Sequence, residues 1–261
     1  MPVNANASAL DSPAEAGTDA LPINELFHSL QGEGKLAGVP STFVRTSGCN
    51  LRCWFCDSYH TSWEPTHGWF DVADIVTEVT KHESDHVVVT GGEPMMHNGI
   101  EALLAELSDQ GYHTTVETNG TIFREAPIDL VSVSPKLASS TPSEAQQPAG
   151  GDADIGVWEE RHEQERLDYD SLASLVEAYD FQLKFVVTER EDMGEIEELV
   201  ETLRSTSSAQ IEDHDILLMP EGMTRERLEE TREITAELAL EHGYRYTPRL
   251  HVDLWNDAPG T

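Results

Sequence analysis

Short apolar runs alternate along this chain with longer stretches in which apolar residues recur every three or four positions. The short runs are rich in β-branched residues and predict strands at 41–46, 86–90, 114–117, 130–133, 181–187, 216–219 and 244–250. The periodic stretches predict helices at 72–79, 100–107, 172–179, 196–203 and 224–242. Asp71 is a suitable N-cap for the first helix, and Gly243 closes the last.

Strands that alternate with helices predict an α/β fold with a mostly parallel sheet and helices on its outside. About six such units are present, which fits a partial (β/α)6-type barrel, although periodicity leaves an open doubly wound sheet as an alternative. In either arrangement the site lies at the carboxyl ends of the strands. Polar or glycine-rich strings follow four predicted strands there, at 91–94, 117–121, 134–136 and 219–222.

Two segments lack any apolar period. Residues 1–20 predict a disordered acidic extension, and residues 139–165 predict an acidic insertion that is exposed or mobile. We find no linker between two patterned halves, so residues 21–261 are expected to form a single domain.

The chain is strongly acidic. Its 261 residues contain 16 Lys and Arg against 49 Asp and Glu, for a net charge of −33. This charge argues against nucleic acid and anionic membranes as partners. The N-terminus lacks the basic and apolar regions of a signal peptide, which predicts a cytoplasmic protein. A dense carboxylate surface with only four lysines also suggests a halophilic source.

All three cysteines lie within eight residues, as Cys49, Cys53 and Cys56 in a C-x3-C-x2-C spacing. Such a loop can direct three thiolates at one metal centre, and soft thiolates suit both zinc and iron–sulfur clusters. A structural zinc site needs a fourth ligand, for which His60 is a nearby candidate. A [4Fe–4S] cluster held by three cysteines leaves one iron open to another ligand.

The cysteine spacing, with an aromatic residue before the last cysteine, resembles the signature of the radical S-adenosylmethionine (SAM) superfamily. Gly91, Gly92 and Glu93 are similar to the superfamily's GGE motif and follow a predicted strand. The resemblance implies a [4Fe–4S] cluster that binds SAM through its open iron. It also implies a 5′-deoxyadenosyl radical that removes a hydrogen atom from the substrate.

Further strings narrow the resemblance: 29–34 (SLQGEG), 38–45 (GVPSTFVR), 117–121 (ETNGT) and 134–136 (SPK). Their order resembles the 7-carboxy-7-deazaguanine synthase (QueE) family over about residues 23–255. That family converts 6-carboxy-5,6,7,8-tetrahydropterin to 7-carboxy-7-deazaguanine with ring contraction and loss of ammonia, and it requires Mg2+. The product serves queuosine or archaeosine biosynthesis.

The resemblance also implies site residues. It assigns Cys49, Cys53 and Cys56 to the cluster and Ser58 to Mg2+. For substrate binding it indicates Leu30, Gln31, Gly32, Glu33, Arg45 and Thr90, with Arg45 pairing the substrate carboxylate. For SAM binding it indicates Phe55, Asp57, Gly92, Glu93, Ser134, Pro135 and Lys136. No contact is assigned to the C-terminal string that contains His251 and Trp255.

Two of the four lysines, Lys136 and Lys184, lie in or just after predicted strands, where solubility does not explain them. We expect a site role for Lys136, whereas Lys184 is either a site residue or a structural one. The family further implies a homodimer and an electron donor such as flavodoxin or ferredoxin. The alternatives are another small radical SAM enzyme, such as a glycyl-radical activase, and a non-enzymatic zinc or iron–sulfur protein.

Overall fold

The computed structural model describes residues 19–148, 155–256, 258 and 260. Most of the predicted N-terminal extension, residues 1–18, therefore lies outside the described part, as do residues 149–154 of the insertion. Within the described part, no helix is both long enough and apolar enough to cross a bilayer.

A nine-stranded sheet forms the centre of the molecule. Its strands are β1 (Ala20–Leu30), β2 (Pro40–Thr46), β3 (Gly68–Asp71), β4 (His86–Gly91), β5 (His113–Thr118), β6 (Leu130–Val133), β7 (Phe181–Val187), β8 (Ile216–Pro220) and β9 (Arg245–Tyr246). The spatial order is β3-β1-β2-β4-β5-β6-β7-β8-β9. From β2 to β9 all pairs are parallel, whereas β1 runs antiparallel to both β2 and β3.

Seven α-helices lie between these strands in the described part of the chain, and an eighth follows the last strand. They are α1 (Tyr59–Ser62), α2 (Val72–Val79), α3 (Ile100–Asp109), α4 (Ile155–Glu165), α5 (Tyr169–Ala178), α6 (Asp192–Thr206), α7 (Arg225–His242) and α8 (Leu250–Trp255). The predicted boundaries of α2 and α7 are confirmed. Asp71 is extended and precedes α2, and Gly243 ends α7 in the left-handed conformation with a φ of 72°.

The predicted α/β class with a mostly parallel sheet is confirmed. The sheet does not close within the described residues, because β3 and β9 lie at opposite edges. Val87, Val88 and Val89 of β4 are fully buried, as expected for a central strand covered on both faces. The large core forms under the helices, while a small cluster of Phe27, Phe43 and Val88 stands apart from it.

Several local predictions were wrong or incomplete. β1 and β3 were not predicted, because polar residues such as Asn24 and Glu25 interrupt the apolar pattern of β1. The predicted strand at 244–250 is reduced to Arg245–Tyr246, and Leu250 already begins α8. Residues 155–165, expected as loop, form α4, whose sequence is polar but whose Ile155 and His162 are buried.

The acidic composition yields a stability prediction. Raising KCl from ~0.1 M to ~2 M should increase the urea midpoint of unfolding, because screening shortens the range of repulsion among carboxylates to a few ångströms. Urea titrations followed by circular dichroism at several KCl concentrations measure this directly. A midpoint that stays level or falls would contradict the halophilic interpretation.

Candidate active site

One cavity, at the carboxyl ends of the parallel strands, brings most of the expected site residues together. Of the residues expected at the site, it is lined by Leu30, Gln31, Gly32, Glu33, Arg45, Cys49, Cys53, Phe55, Cys56, Asp57, Ser58, Thr90, Gly92, Ser134 and Lys136. Two expected residues, Glu93 and Pro135, are not among the lining residues. The parallel register explains much of this convergence, since Arg45 of β2 lies beside Thr90 of β4.

The cysteine loop follows β2, and hydrogen bonds to two other segments hold Gly48, near its start, in place. Gly48 has a φ of 104°, its N–H donates to the carbonyl of Thr61 at 2.8 Å, and its carbonyl accepts from Glu93 N–H at 2.8 Å. Gly92 packs so closely that a Cβ atom there would lie 2.1 Å from the Gly48 carbonyl oxygen. The second glycine of the GGE motif is therefore required by the close approach of two backbones.

The three thiols share the cavity, which suits a group larger than a single ion. Burial raises the pKa of Cys49 to about 12, and it raises the pKa values of Cys53 and Cys56 as well. Thiolates at these positions therefore need the positive charge of a metal centre to form. The donor set of three thiols fits a three-cysteine [4Fe–4S] cluster.

The zinc alternative is poorly supported by the geometry. His60 is exposed and does not line the cavity. A closed four-ligand zinc site is not what this arrangement provides.

Glu93 does not line the cavity but accepts hydrogen bonds from the loops around it. Its carboxylate is fully buried and accepts hydrogen bonds from Met95 N–H at 2.9 Å, Thr118 Oγ1 at 2.8 Å and Asn119 N–H at 2.7 Å. Asn119 in turn donates to Asn50 of the cysteine loop at 2.9 Å. Burial raises the pKa of Glu93 despite these bonds. The structure thus shows Glu93 joining the loops that follow β4 and β5 to the cysteine loop.

One wall of the cavity carries a network of charged groups, in which the two cations, Lys184 and Arg249, are buried. The ammonium of Lys184 donates to Glu33 at 2.7 Å and to Glu117 at 2.8 Å, and its side chain is only 4% exposed. Arg249 bridges Glu33, at 3.0 Å, and Asp57. Burial by itself raises the pKa of Glu33, but Lys184 and Arg249 outweigh it and hold that pKa well below its usual range. The same carboxylates hold the pKa of Lys184 above its usual range against the opposing effect of burial.

Arg45 also lines this cavity. It pairs across the strands with Glu25 at 3.2 Å, and its Nη1 donates to the hydroxyl of Ser58 at 2.9 Å. The guanidinium also lies over the Phe27 ring, 5.4 Å from its centroid. This partly buried cation is held in place while it still faces the cavity.

Several residues of the site were not predicted. Glu117, Arg249 and His251 line the cavity although no role was assigned to them. Lys184, for which a site role and a structural role were both open, also lines the cavity. Arg249 and His251 flank Leu250, whose N–H donates to the Gly32 carbonyl at 2.8 Å and so holds this C-terminal segment beside the cavity. Arg249 carried one usable signal, namely that cations are scarce in this chain, as for Lys136 and Lys184.

Comparisons with known proteins agree with this geometry. Residues 43–141 match the family model of the radical SAM superfamily. A 7-carboxy-7-deazaguanine synthase from Halobacterium salinarum is 60% identical over 264 residues, which cover both chains completely. Another, from Rhodopirellula baltica, is 38% identical over 95% of this chain and 91% of its own. The crystal structure of QueE from Escherichia coli shares the fold, with a TM-score of 0.64 at 24% identity over 89% of this chain and 95% of its own.

The sheet and the three-cysteine cavity define a radical SAM enzyme, and such enzymes use a [4Fe–4S] cluster and SAM. The chain belongs to the 7-carboxy-7-deazaguanine synthase family, as its full-length similarity to the Halobacterium and Rhodopirellula enzymes shows. The halophilic source expected from the acidic composition fits the Halobacterium relative.

Proposed function

We propose that this protein converts 6-carboxy-5,6,7,8-tetrahydropterin to 7-carboxy-7-deazaguanine, with ring contraction and loss of ammonia. The observation that carries the proposal is one cavity that combines three thiols with charged groups suited to a carboxylated heterocycle. When bound, the cluster and SAM supply the radical that removes a hydrogen atom from the substrate. The protein contributes binding, orientation and a site shielded from water.

The charged wall and Arg45 supply complementary contacts for the substrate. The guanidinium of Arg45 presents paired donors that match the geometry of a carboxylate. In the charged wall, Glu33 remains ionised next to Lys184. Its carboxylate can therefore accept hydrogen bonds from N–H groups of a pterin ring. Leu30, Gln31, Gly32 and Thr90 complete this proposed substrate surface.

The proposed cofactor contacts line the same cavity. Cys49, Cys53 and Cys56 would hold the cluster, and Phe55, Asp57, Gly92, Ser134 and Lys136 would contact SAM. Pro135 lies between two of these contacts and shapes their loop. Lys136 donates to the Ser134 carbonyl at 2.8 Å and hydroxyl at 2.7 Å, which fixes the ammonium near the cavity. We assign Glu93 the indirect role of holding these loops together.

Replacing Arg45 with alanine should reduce kcat/KM for the pterin roughly 10- to 100-fold, since a hydrogen bond to a charged group contributes about 1.5–3 kcal/mol. Cluster content should stay at wild-type level, because Arg45 makes no hydrogen bond to a cysteine; its hydrogen-bond partners are Glu25 and Ser58. Steady-state kinetics with iron analysis measure both effects. Arg124→Ala, which removes an arginine outside the cavity, is the matched control. Unchanged kcat/KM in Arg45→Ala would refute the carboxylate contact.

We further propose that Mg2+ binds at Ser58 together with substrate oxygens and water. The Ser58 hydroxyl now accepts from Arg45, so binding a cation there requires that guanidinium to turn toward the substrate carboxylate. Ser58→Thr should lower the Mg2+ concentration for half-maximal activity, because the added methyl group restricts the hydroxyl rotamer. Ser58→Ala should raise it. Mg2+ titrations of activity test this, and equal requirements in all three proteins would exclude Ser58 as a ligand.

One assay tests the reaction itself. Anaerobically reconstituted, reduced protein is incubated with SAM, Mg2+ and the pterin, and the product is identified by mass spectrometry. Formation of 7-carboxy-7-deazaguanine without net consumption of SAM supports the proposal. SAM cleavage without this product would favour another radical enzyme, such as a glycyl-radical activase.

The remaining expectations stay proposals. They are a flavodoxin or ferredoxin as electron donor, a homodimer as the working form and the cytoplasm as its location. Reduction assays with each donor and light scattering of the purified protein test the first two.

A further inference from the structure

The acidic segment that the sequence marked as an insertion contacts the cysteine loop directly. The ring of His162, in α4, is fully buried, although it belongs to a helix that is otherwise largely exposed. Its Nδ1 accepts a hydrogen bond from the backbone N–H of Arg52 at 3.1 Å. Arg52 lies between Cys49 and Cys53 in sequence, so α4 holds the backbone that spaces two of the three thiols.

The other nitrogen of His162 completes a chain of hydrogen bonds. Nε2 lies 2.8 Å from the hydroxyl of Ser140, which donates to the carbonyl of Leu137 at 2.6 Å. Because Nδ1 accepts from Arg52, the proton is on Nε2, and every donor in the chain has an acceptor. Burial lowers the pKa of His162 to about 4, which keeps the ring neutral as this arrangement requires.

Two tryptophans, Trp158 and Trp54, make further contacts between the cysteine loop and this segment. The guanidinium of Arg52 stacks over the ring of Trp158, with 4.2 Å between its Cζ and the ring centroid. Trp54, next to Cys53, donates from its backbone N–H to the Ser140 carbonyl at 3.2 Å and from its indole to the Ser139 carbonyl at 2.7 Å. The cysteine loop is thus tied to the 137–141 turn as well as to α4.

The helix is also anchored to the loop that follows β6. Arg166, just after α4, donates to the carbonyl of Lys136 at 3.0 Å and pairs with Glu163 at 2.8 Å. Thr141 donates to the carboxylate of Glu163 at 2.9 Å. The same short helix therefore connects the cysteine loop with the Ser134–Lys136 string.

We propose that α4 is a clamp on the cluster-binding loop, in which His162 and Trp158 act as positioning residues that hold Arg52 and so retain the iron–sulfur cluster. Without the clamp, the loop between Cys49 and Cys53 is free to open and release iron. Groups that orient metal ligands from outside typically change metal affinity by about 10- to 100-fold. The proposal rests on the cysteine loop holding a cluster, as the proposed function requires.

The test measures iron retention in the full-length, anaerobically reconstituted protein. The variants are His162→Ala, His162→Asn and Trp158→Ala, and the matched control is Val157→Ala, an exposed residue of the same helix. Iron transfer to an excess of a ferrous chelator gives the release rate, and electron paramagnetic resonance of the reduced cluster reports its environment. Urea unfolding of each apo-protein separates loss of the clamp from loss of the fold.

We expect His162→Ala to release iron about tenfold faster or more, with an altered resonance spectrum and a wild-type control. His162→Asn, which retains an acceptor for Arg52 N–H, should fall between the alanine variant and wild type, and Trp158→Ala should also accelerate release. If His162→Ala does not fold, the other two variants decide the question. Wild-type release rates in Trp158→Ala and in the folded His162 variants would overturn the clamp. A wild-type protein that takes up no iron would instead overturn the proposed function.

Discussion

The Cys53→Ala variant should lose its iron–sulfur cluster and all reductive cleavage of SAM. Two thiols remain in the variant, and a cluster with one exchangeable iron needs three cysteine ligands. Cys53 is the most deeply buried of the three cysteines, and it lines the same cavity as the other two. We expect bound iron to fall from about four per chain to background, measured by iron analysis after anaerobic reconstitution.

Ser62→Ala provides the control for this prediction. Its hydroxyl lies 3.1 Å from the Cys56 sulfur, so the variant alters the surroundings of one thiol without removing any. It should retain the cluster and cleave SAM. A Cys53→Ala protein that still binds about four irons would show that the loop is not the cluster site.

Replacing Lys184 with methionine should lower the free energy of unfolding by about 3–5 kcal/mol at neutral pH. Methionine fills a similar volume but leaves Glu33 and Glu117 facing each other without the ammonium between them. Removing one partner from a largely buried charge network leaves the other charges incompletely compensated, since Arg249 still pairs with Glu33 but no cation remains beside Glu117. Urea unfolding at low ionic strength measures the loss, and Lys81→Met, at an exposed ion pair, should change stability by less than about 0.5 kcal/mol.

The deficit of Lys184→Met should shrink as the pH falls from ~7 to ~5. In the wild type the depressed pKa of Glu33 means that its stabilising contribution is fully present above the pKa of an unfolded glutamate, about 4.3, and is lost progressively as the pH falls from there towards the lower folded-state value. In the variant, the largest lowering influence on the pKa of Glu33 is gone, although Arg249 remains. The folded variant therefore takes up protons at higher pH than the wild type does, which relieves its repulsion. A deficit that is the same at pH ~7 and pH ~5 would show that Lys184 acts by packing alone, and a deficit that grows on acidification would contradict the charge mechanism.

The sequence predicted most of the parallel sheet because the inner strands are short runs rich in β-branched and other apolar residues. Most residues of β4 to β8 are buried, and polar or glycine-rich strings follow four of these strands. β1 was not predicted because polar residues interrupt its apolar pattern. It runs antiparallel at the outer side of β2, where it needs fewer apolar residues and mixes polar ones such as Asn24 and Glu25 among them.

The cysteine loop and its flanking strings were predictable because their residues are close together in sequence. The charged wall was not, because it is assembled from four distant segments. Glu33, Glu117, Lys184 and Arg249 each look unremarkable alone, and their pairing depends on the order of strands in the sheet. The role of α4 was hidden for a similar reason, since one buried histidine in an acidic helix has no signature in a single sequence.

The contact between the Gln31–Gly34 string and Arg249 has a consequence for how the protein is made. Glu33 and Arg249 are 216 positions apart, and Gly34 N–H donates to Thr247 Oγ1 across 213. On the ribosome, the cysteines emerge long before residues 247–251 are translated. The charged wall of the cavity therefore cannot be complete until almost the entire sheet has been synthesised, whereas the cysteine loop is available to iron donors much earlier. Cluster insertion during synthesis would meet a chain in which this cavity does not yet exist.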